Sequence, residues 1–166
     1  MPPPELRFDP VDALAPWQPV TDGVMGGRSN SRLRLSDEGH AVFEGVVSLE
    51  NGGGFASIRA ATSALAASTI VGYRLTVLGD GKHYKFNLRT EAAFDGVNYQ
   101  AEFSPPLAQW ATIDLLLVDF VPRYRGQAVL DAPALDPAKV RQVGWMIAAR
   151  QAGSFQLGIR SVHALF

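Results

Sequence analysis

The chain of 166 residues has no cysteine, three histidines and three lysines, Lys82, Lys85 and Lys139. The lack of cysteine excludes a disulfide framework, a thiolate nucleophile, an iron–sulfur site and any cysteine-bearing zinc site. His40, His83 and His163 fall on different expected elements with no shared spacing, which argues against a histidine metal site. Neither sign of charge dominates. With 15 Lys+Arg against 16 Asp+Glu, a net charge of -1 leaves no basic face for a phosphate backbone, so nucleic acid is disfavoured as a partner. No stretch approaches the roughly 18 to 20 apolar residues needed to span a bilayer. The opening MPPPELRFDP has no apolar segment flanked by positive charge, so a cytoplasmic protein without membrane insertion is expected.

Catalytic signatures are also missing. No serine sits in a nucleophile-elbow pattern, and Asp22, Glu44, Glu50, Asp95 and Glu102 show no spacing that would mark an acid/base pair. A non-enzymatic protein without a cofactor is the expectation.

Short apolar/polar alternations separated by Gly, Pro, Asn and Asp fill the chain, and helical periodicity is scarce. At 47% hydrophobic residues, this length suffices to bury roughly 70% of the surface exposed on unfolding. Alternation marks strands from Phe43 to Leu49, Phe55 to Arg59, Tyr73 to Val77, Tyr84 to Leu88, Val97 to Phe103, Trp110 to Val118, Val143 to Ala149 and Phe155 to Ile159. Asp80-Gly81 has the chemistry of a primed hairpin turn, so the strands on either side of it are expected to pair and, with the strand from Val97, to form a meander. Asp136-Pro137 predicts a capped helical turn with proline at its first position. Residues 1 to about 6 are expected to fray and the rest to form one domain. Eight or nine strands with this spacing predict an all-β fold, a two-sheet antiparallel β-sandwich or jelly roll.

Two segments are candidate binding sites. Asp22-Gly23-Val24-Met25-Gly26-Gly27-Arg28-Ser29 concentrates glycine beside an aspartate, an arginine and a serine. Such a loop can present backbone N–H groups to an anion, although a tight turn capped by Asp22 explains it as well. On the strands from Tyr84 and Val97, Lys85, Asn87 and Arg89 stand beside Asn98, Gln100 and Glu102, opposite an apolar face. That grouping suits a polar, sugar-type platform, with a solvated outer face as the plainer alternative. In either case Asn87 and Arg89 are expected to tolerate replacement by alanine with a stability change within about 0.5 kcal/mol. Trp17 and Trp110, near strand ends, are further possible contacts, whereas Trp145 is expected in the core.

Specific strings add a resemblance. Asp22-Gly23-Val24-Met25-Gly26-Gly27 with Ser29, Phe43-Glu44-Gly45, Asn51 and Gly53-Gly54-Phe55-Ala56-Ser57-Ile58-Arg59 resemble the complex I intermediate-associated protein family. Gly79-Asp80-Gly81 with Tyr84, Tyr99 with Phe103, Trp110, Phe120 with Arg125-Gly126, Gly144 and Gln151-Ala152-Gly153 with Phe155 extend the likeness over nearly the whole chain. A departure is Leu115-Leu116-Leu117, where the family usually has a Pro-Phe pair. The resemblance implies a galactose-binding-like jelly roll and a protein partner, namely subunits or assembly intermediates of NADH:ubiquinone oxidoreductase, with a position peripheral to the inner membrane. By the same resemblance a stand-alone, bacterial domain is expected. A carbohydrate or small-metabolite binder without a respiratory role is the alternative.

Overall fold

The computed structural model describes residues 4–8, 14–21, 29–50, 54–91, 96–124 and 127–166. Two antiparallel sheets are stacked face to face, as the alternation requires. In the first, β3 (Asn30–Leu35), β4 (Ala41–Val47), β13 (Gly153–Leu165), β6 (Gly72–Leu78) and β9 (Trp110–Leu116) lie in that order, and β1 (Glu5–Arg7) also pairs with β13. In the second, the order is β11 (Gln127–Ala128), β10 (Val121–Tyr124), β8 (Asn98–Phe103), β7 (Tyr84–Arg89), β12 (Gln142–Ile147), β5 (Ala56–Ala61) and β2 (Gln18–Thr21). The chain is a jelly-roll β-sandwich.

The core lies between the sheets. Tyr84, Phe86 and Leu88 of β7, Tyr99, Ala101 and Phe103 of β8 and Val143, Trp145 and Ile147 of β12 meet Phe43, Leu75, Val77, Phe155 and Leu157 from the facing sheet. At its centre the rings of Phe86 and Trp145 are 4.9 Å apart and tilted, and those of Phe43 and Phe155 are 4.9 Å apart and edge to face. Such pairs add to the stabilisation that burial already provides. Burial, reinforced by the charge of Asp80, holds the phenol of Tyr84 above its usual range.

Several expectations change. The described residues form thirteen strands where eight or nine were expected, because short strands such as β1, β2, β10 and β11 are too brief for alternation to reveal. Glu5 and Leu6, at the end of the stretch expected to fray, pair with His163 and Val162. Pro137–Lys139 form the expected turn, with Asp136 accepting from the Ala138 N–H at 3.0 Å. At Leu115-Leu116-Leu117 the strand ends, and a 3-10 turn over Leu117–Asp119 follows, its Asp119 accepting from the Leu116 N–H at 2.8 Å.

The hairpin expected at Asp80-Gly81 does not form. β6 pairs with β9 and β13, whereas β7 pairs with β8 and β12, so Gly79-Asp80-Gly81 carries the chain from one sheet to the other. The meander accordingly reduces to the β7–β8 pair. Asp80 fixes the corner by accepting from the N–H groups of Lys82 at 3.1 Å and of Gln156, on β13, at 2.8 Å. A Cβ on Gly79 would lie 2.8 Å from both Pro105 Cγ and Pro106 O, so only glycine fits there. Gly81 has φ +88, and a glycine at positive φ serves an inter-sheet corner as readily as a hairpin. Gly81→Val should therefore destabilise the protein by about 1 to 2 kcal/mol through the left-handed backbone alone. An unchanged midpoint of denaturant unfolding would refute this.

Candidate functional site

In a strand, side chains alternate between faces, so the residues between the core positions of the seven-stranded sheet point away from the sandwich. Register arranges them in rows that cross as many as six strands. One row runs from Val121 through Gln100, Asn87 and Gly144 to Arg59 and Gln18; a second runs through Glu102, Lys85, Met146, Ser57 and Val20. In a third, Arg123 is opposite Asn98 and Arg89 opposite Gln142. Gly144, with no side chain, leaves a gap between Asn87 and Arg59.

The structure thus brings Lys85, Asn87, Arg89, Asn98 and Gln100 onto one face, beside the exposed Glu102. Their burial differs from the expectation of a solvated surface: Asn87 is 6% exposed, Asn98 8% and Gln100 7%. Lys85 Nζ donates to Gln100 Oε1 at 3.0 Å, and Arg89 Nη1 donates to the Gly96 carbonyl at 2.9 Å. Asn87 Nδ2 and Gln100 Nε2 both donate to Met146 Sδ, at 3.6 and 3.9 Å. Gln142 Nε2 donates to the Glu91 carbonyl at 2.8 Å. Asn87 Oδ1 and Asn98 Oδ1 are buried and accept no hydrogen bond. Burial and the nearby charge of Arg123 lower the pKa of the Lys85 ammonium, with Glu102 opposing.

The outer face of the six-stranded sheet is built differently. There Glu44 accepts from Arg32 Nε at 2.7 Å and Arg34 Nε at 2.9 Å, and Asp114 accepts from Arg74 through two bonds of 2.7 and 2.9 Å. Burial raises the Glu44 carboxyl, but the hydrogen bonds from Arg32 and Arg34 outweigh it and leave it below the usual range. Opposite charges set across neighbouring strands give a solvated face its ordinary stabilisation. No carboxylate forms such a pair with Lys85 among the described residues.

Other candidate residues have structural surroundings. Asp22, Gly26, Gly27, Arg28 and Gly53 lie outside the described residues. Ser29 Oγ joins β3 to β4 by donating to the Ser48 carbonyl at 3.3 Å and accepting from the Ser48 N–H at 2.9 Å. Gly54 has φ +149 and packs against Arg150, while Phe55 is half-buried and Arg59 stands in the central row. Trp145 is fully buried. Trp17 packs on Phe8 at 5.5 Å, and Trp110 lies between the edge-on ring of His40 at 4.9 Å and the Arg160 guanidinium at 4.1 Å. His83 bonds Ser104 through Nδ1 at 2.6 Å, and His163 Nδ1 is 3.1 Å from Glu5. Among the described residues no three His, Asp or Glu side chains are grouped to hold a metal ion. The same residues include no helix long and apolar enough to cross a membrane.

Two antiparallel sheets around a shared apolar core, with an amide-rich outer face, place the chain among jelly-roll domains of the kind found in carbohydrate-binding modules. Residues 6–159 match the family model of Complex I intermediate-associated protein 30, and the chain belongs to that family. No curated protein sequence matches it. The family 11 carbohydrate-binding module of a Clostridium thermocellum cellulosomal cellulase is 14% identical, with a TM-score of 0.70 over 99% of this chain and 97% of that one. The same organism's family 11 module in complex with a β-1,3-1,4-mixed-linked tetrasaccharide is 15% identical, with a TM-score of 0.68 over 98% and 97%. An exo-β-agarase is 8% identical, with a TM-score of 0.57 over 97% of this chain and 24% of that one. These likenesses establish the fold.

Two predictions follow from these contacts. Arg89→Ala, contrary to the tolerance expected for a solvated position, should cost about 1 kcal/mol by removing the charged donor of the Gly96 carbonyl. A midpoint within error of the parent protein would contradict that. His40 is buried against Trp110, and burial, assisted by Arg160 and Arg34 against the opposing Glu38, lowers its imidazole below 6.5. The unfolded chain therefore takes up the proton first. Stability from neutral His40 is complete above about pH 6.5 and is lost as the pH falls through the folded-state value. Denaturant midpoints should fall from pH 7 to pH 5, and His40→Phe should flatten that slope; equal slopes would exclude the assignment.

Proposed function

We propose that the protein is a non-catalytic binding domain that holds a protein intermediate during assembly of NADH:ubiquinone oxidoreductase. The observation that carries this reading is the family match over residues 6–159, nearly the whole chain. The amide-rich outer face of the seven-stranded sheet supports a binding role. There Lys85, Asn87, Arg89, Asn98 and Gln100 gather where ion pairing would otherwise be expected. The segment from Asp22 to Ser29, with Arg28 as its longest polar side chain, is a second proposed contact on its sequence alone. Work in the cytoplasm, peripheral to the inner membrane, fits this role. Affinity capture from the native cell, with membrane and soluble fractions read by mass spectrometry, should recover subunits of that enzyme. Capture of unrelated soluble proteins or glycans alone would overturn the assembly role.

A second reading has its own support. The two buried amide oxygens without a donor, Asn87 Oδ1 and Asn98 Oδ1, favour the same face as a site for a carbohydrate or small metabolite. One solved structure of the same fold is described in complex with a tetrasaccharide.

A further inference from the structure

On the outer face of β7, β8 and β12, polar groups are left in a pattern that a sandwich does not require for folding. Asn87 is opposite Gln100 and Asn98 is two residues before Gln100, so the two asparagines are diagonal neighbours roughly 7 Å apart. Their Oδ1 atoms, in side chains 6% and 8% exposed, accept nothing. The nearby amide donors, Asn87 Nδ2 and Gln100 Nε2, are directed at a thioether sulfur, a weak acceptor. The Lys85 ammonium, half-buried, gives its hydrogen bond to the neutral Gln100 Oε1.

Each feature narrows the ligand. Acceptors without donors and donors with a poor acceptor within one patch suit a hydroxyl, which donates and accepts at a single atom. A peptide unit also brings a donor and an acceptor, but on separate atoms held apart by its backbone, whereas a polyol sets several two-way hydroxyls side by side. A cation held by a neutral partner in a partly desolvated place suits an anion, because a charge-assisted bond is stronger than the one it replaces. We infer that this face binds a small anionic polyol, the class of sugar phosphates and uronic acids. Its hydroxyls engage Asn87, Asn98 and Gln100, and its anionic group engages Lys85. The Lys85–Gln100 bond opens when the ligand enters, a motion the flexible lysine stem permits. The inference rests on the small-ligand reading of this face and is independent of the assembly role.

The test uses the side-chain amide signals of the full-length 15N-labelled chain. Glucose 6-phosphate or glucuronate should shift the Asn87, Asn98 and Gln100 signals saturably, at least ten times more tightly than glucose, mixed-linked glucotetraose or inorganic phosphate. Lys85→Met should abolish that preference. Asn87→Leu should abolish binding while keeping or raising the unfolding midpoint, because it removes a buried unpaired acceptor. Equally tight glucose or glucotetraose overturns the anionic class and leaves the small-ligand reading standing. Equally tight inorganic phosphate overturns the polyol. Unmoved amide signals with every probe overturn both the inference and the small-ligand reading. A large loss of stability in Asn87→Leu overturns the inference by making the amides a structural network.

Discussion

Burial of Trp145 against Phe86 is the constraint from which the rest of the seven-stranded sheet follows. Both rings are fully buried, 4.9 Å apart, on adjacent strands that bond to each other residue by residue. Once these two face the core, the period of two leaves no freedom: Gly144 and Met146, Lys85 and Asn87 must face outward. A slip of one residue would bury Lys85 and Asn87 in the sandwich and expose the two largest apolar rings of these strands. The outward direction of these side chains is therefore fixed by the core.

The two outer faces of the sandwich solve the same problem in different ways. On the six-stranded side, Arg32, Arg34 and Arg74 meet Glu44 and Asp114, and polar atoms are satisfied by ions of opposite sign or by solvent. On the seven-stranded side, neutral amides are buried, and Asn87 Oδ1 and Asn98 Oδ1 have no donor. An unsatisfied buried acceptor costs on the order of 1 to 3 kcal/mol, which a leucine or valine at the same position would avoid.

Periodicity made the sandwich legible. Alternation placed Tyr84, Phe86 and Leu88 in the core and Lys85, Asn87 and Arg89 opposite them, and Asp136-Pro137 announced its turn. Strand pairing was not legible at Asp80-Gly81, because a glycine at positive φ states the direction of the backbone and nothing about which strand receives it. The cue that could have warned against a hairpin was Pro105-Pro106, which approaches Gly79 too closely for any other residue. Burial of the amides was illegible for a similar reason: alternation assigns a face, whereas exposure depends on which neighbours arrive by register from β8 and β12. Met146, the shared acceptor of Asn87 and Gln100, is such a neighbour, and its position in an apolar run concealed its outward direction.

The strings that carry the family likeness have a different physical task from the candidate site. Gly79, Asp80 and Gly81 make the corner between the sheets, Gly54 lies against Arg150 at φ +149, and Tyr84 and Phe103 stack in the core. These residues keep the sandwich in shape whichever surface it presents. The polar groups of the outer face, Lys85, Asn87, Asn98 and Gln100, lie among those strings without belonging to them. Family membership therefore fixes the fold that displays this face, and the chemistry of the face is set by side chains outside the strings that carry the likeness. Gly144 is the point where the two requirements meet. It belongs to the likeness, it pairs with both Asn87 and Arg59, and a Cβ there would lie 3.2 Å from the Ile58 carbonyl and 3.6 Å from Asn87 Cβ. Keeping it bare relieves the ladder beneath and leaves the gap above, so one missing methyl group serves the sheet and its outer face together.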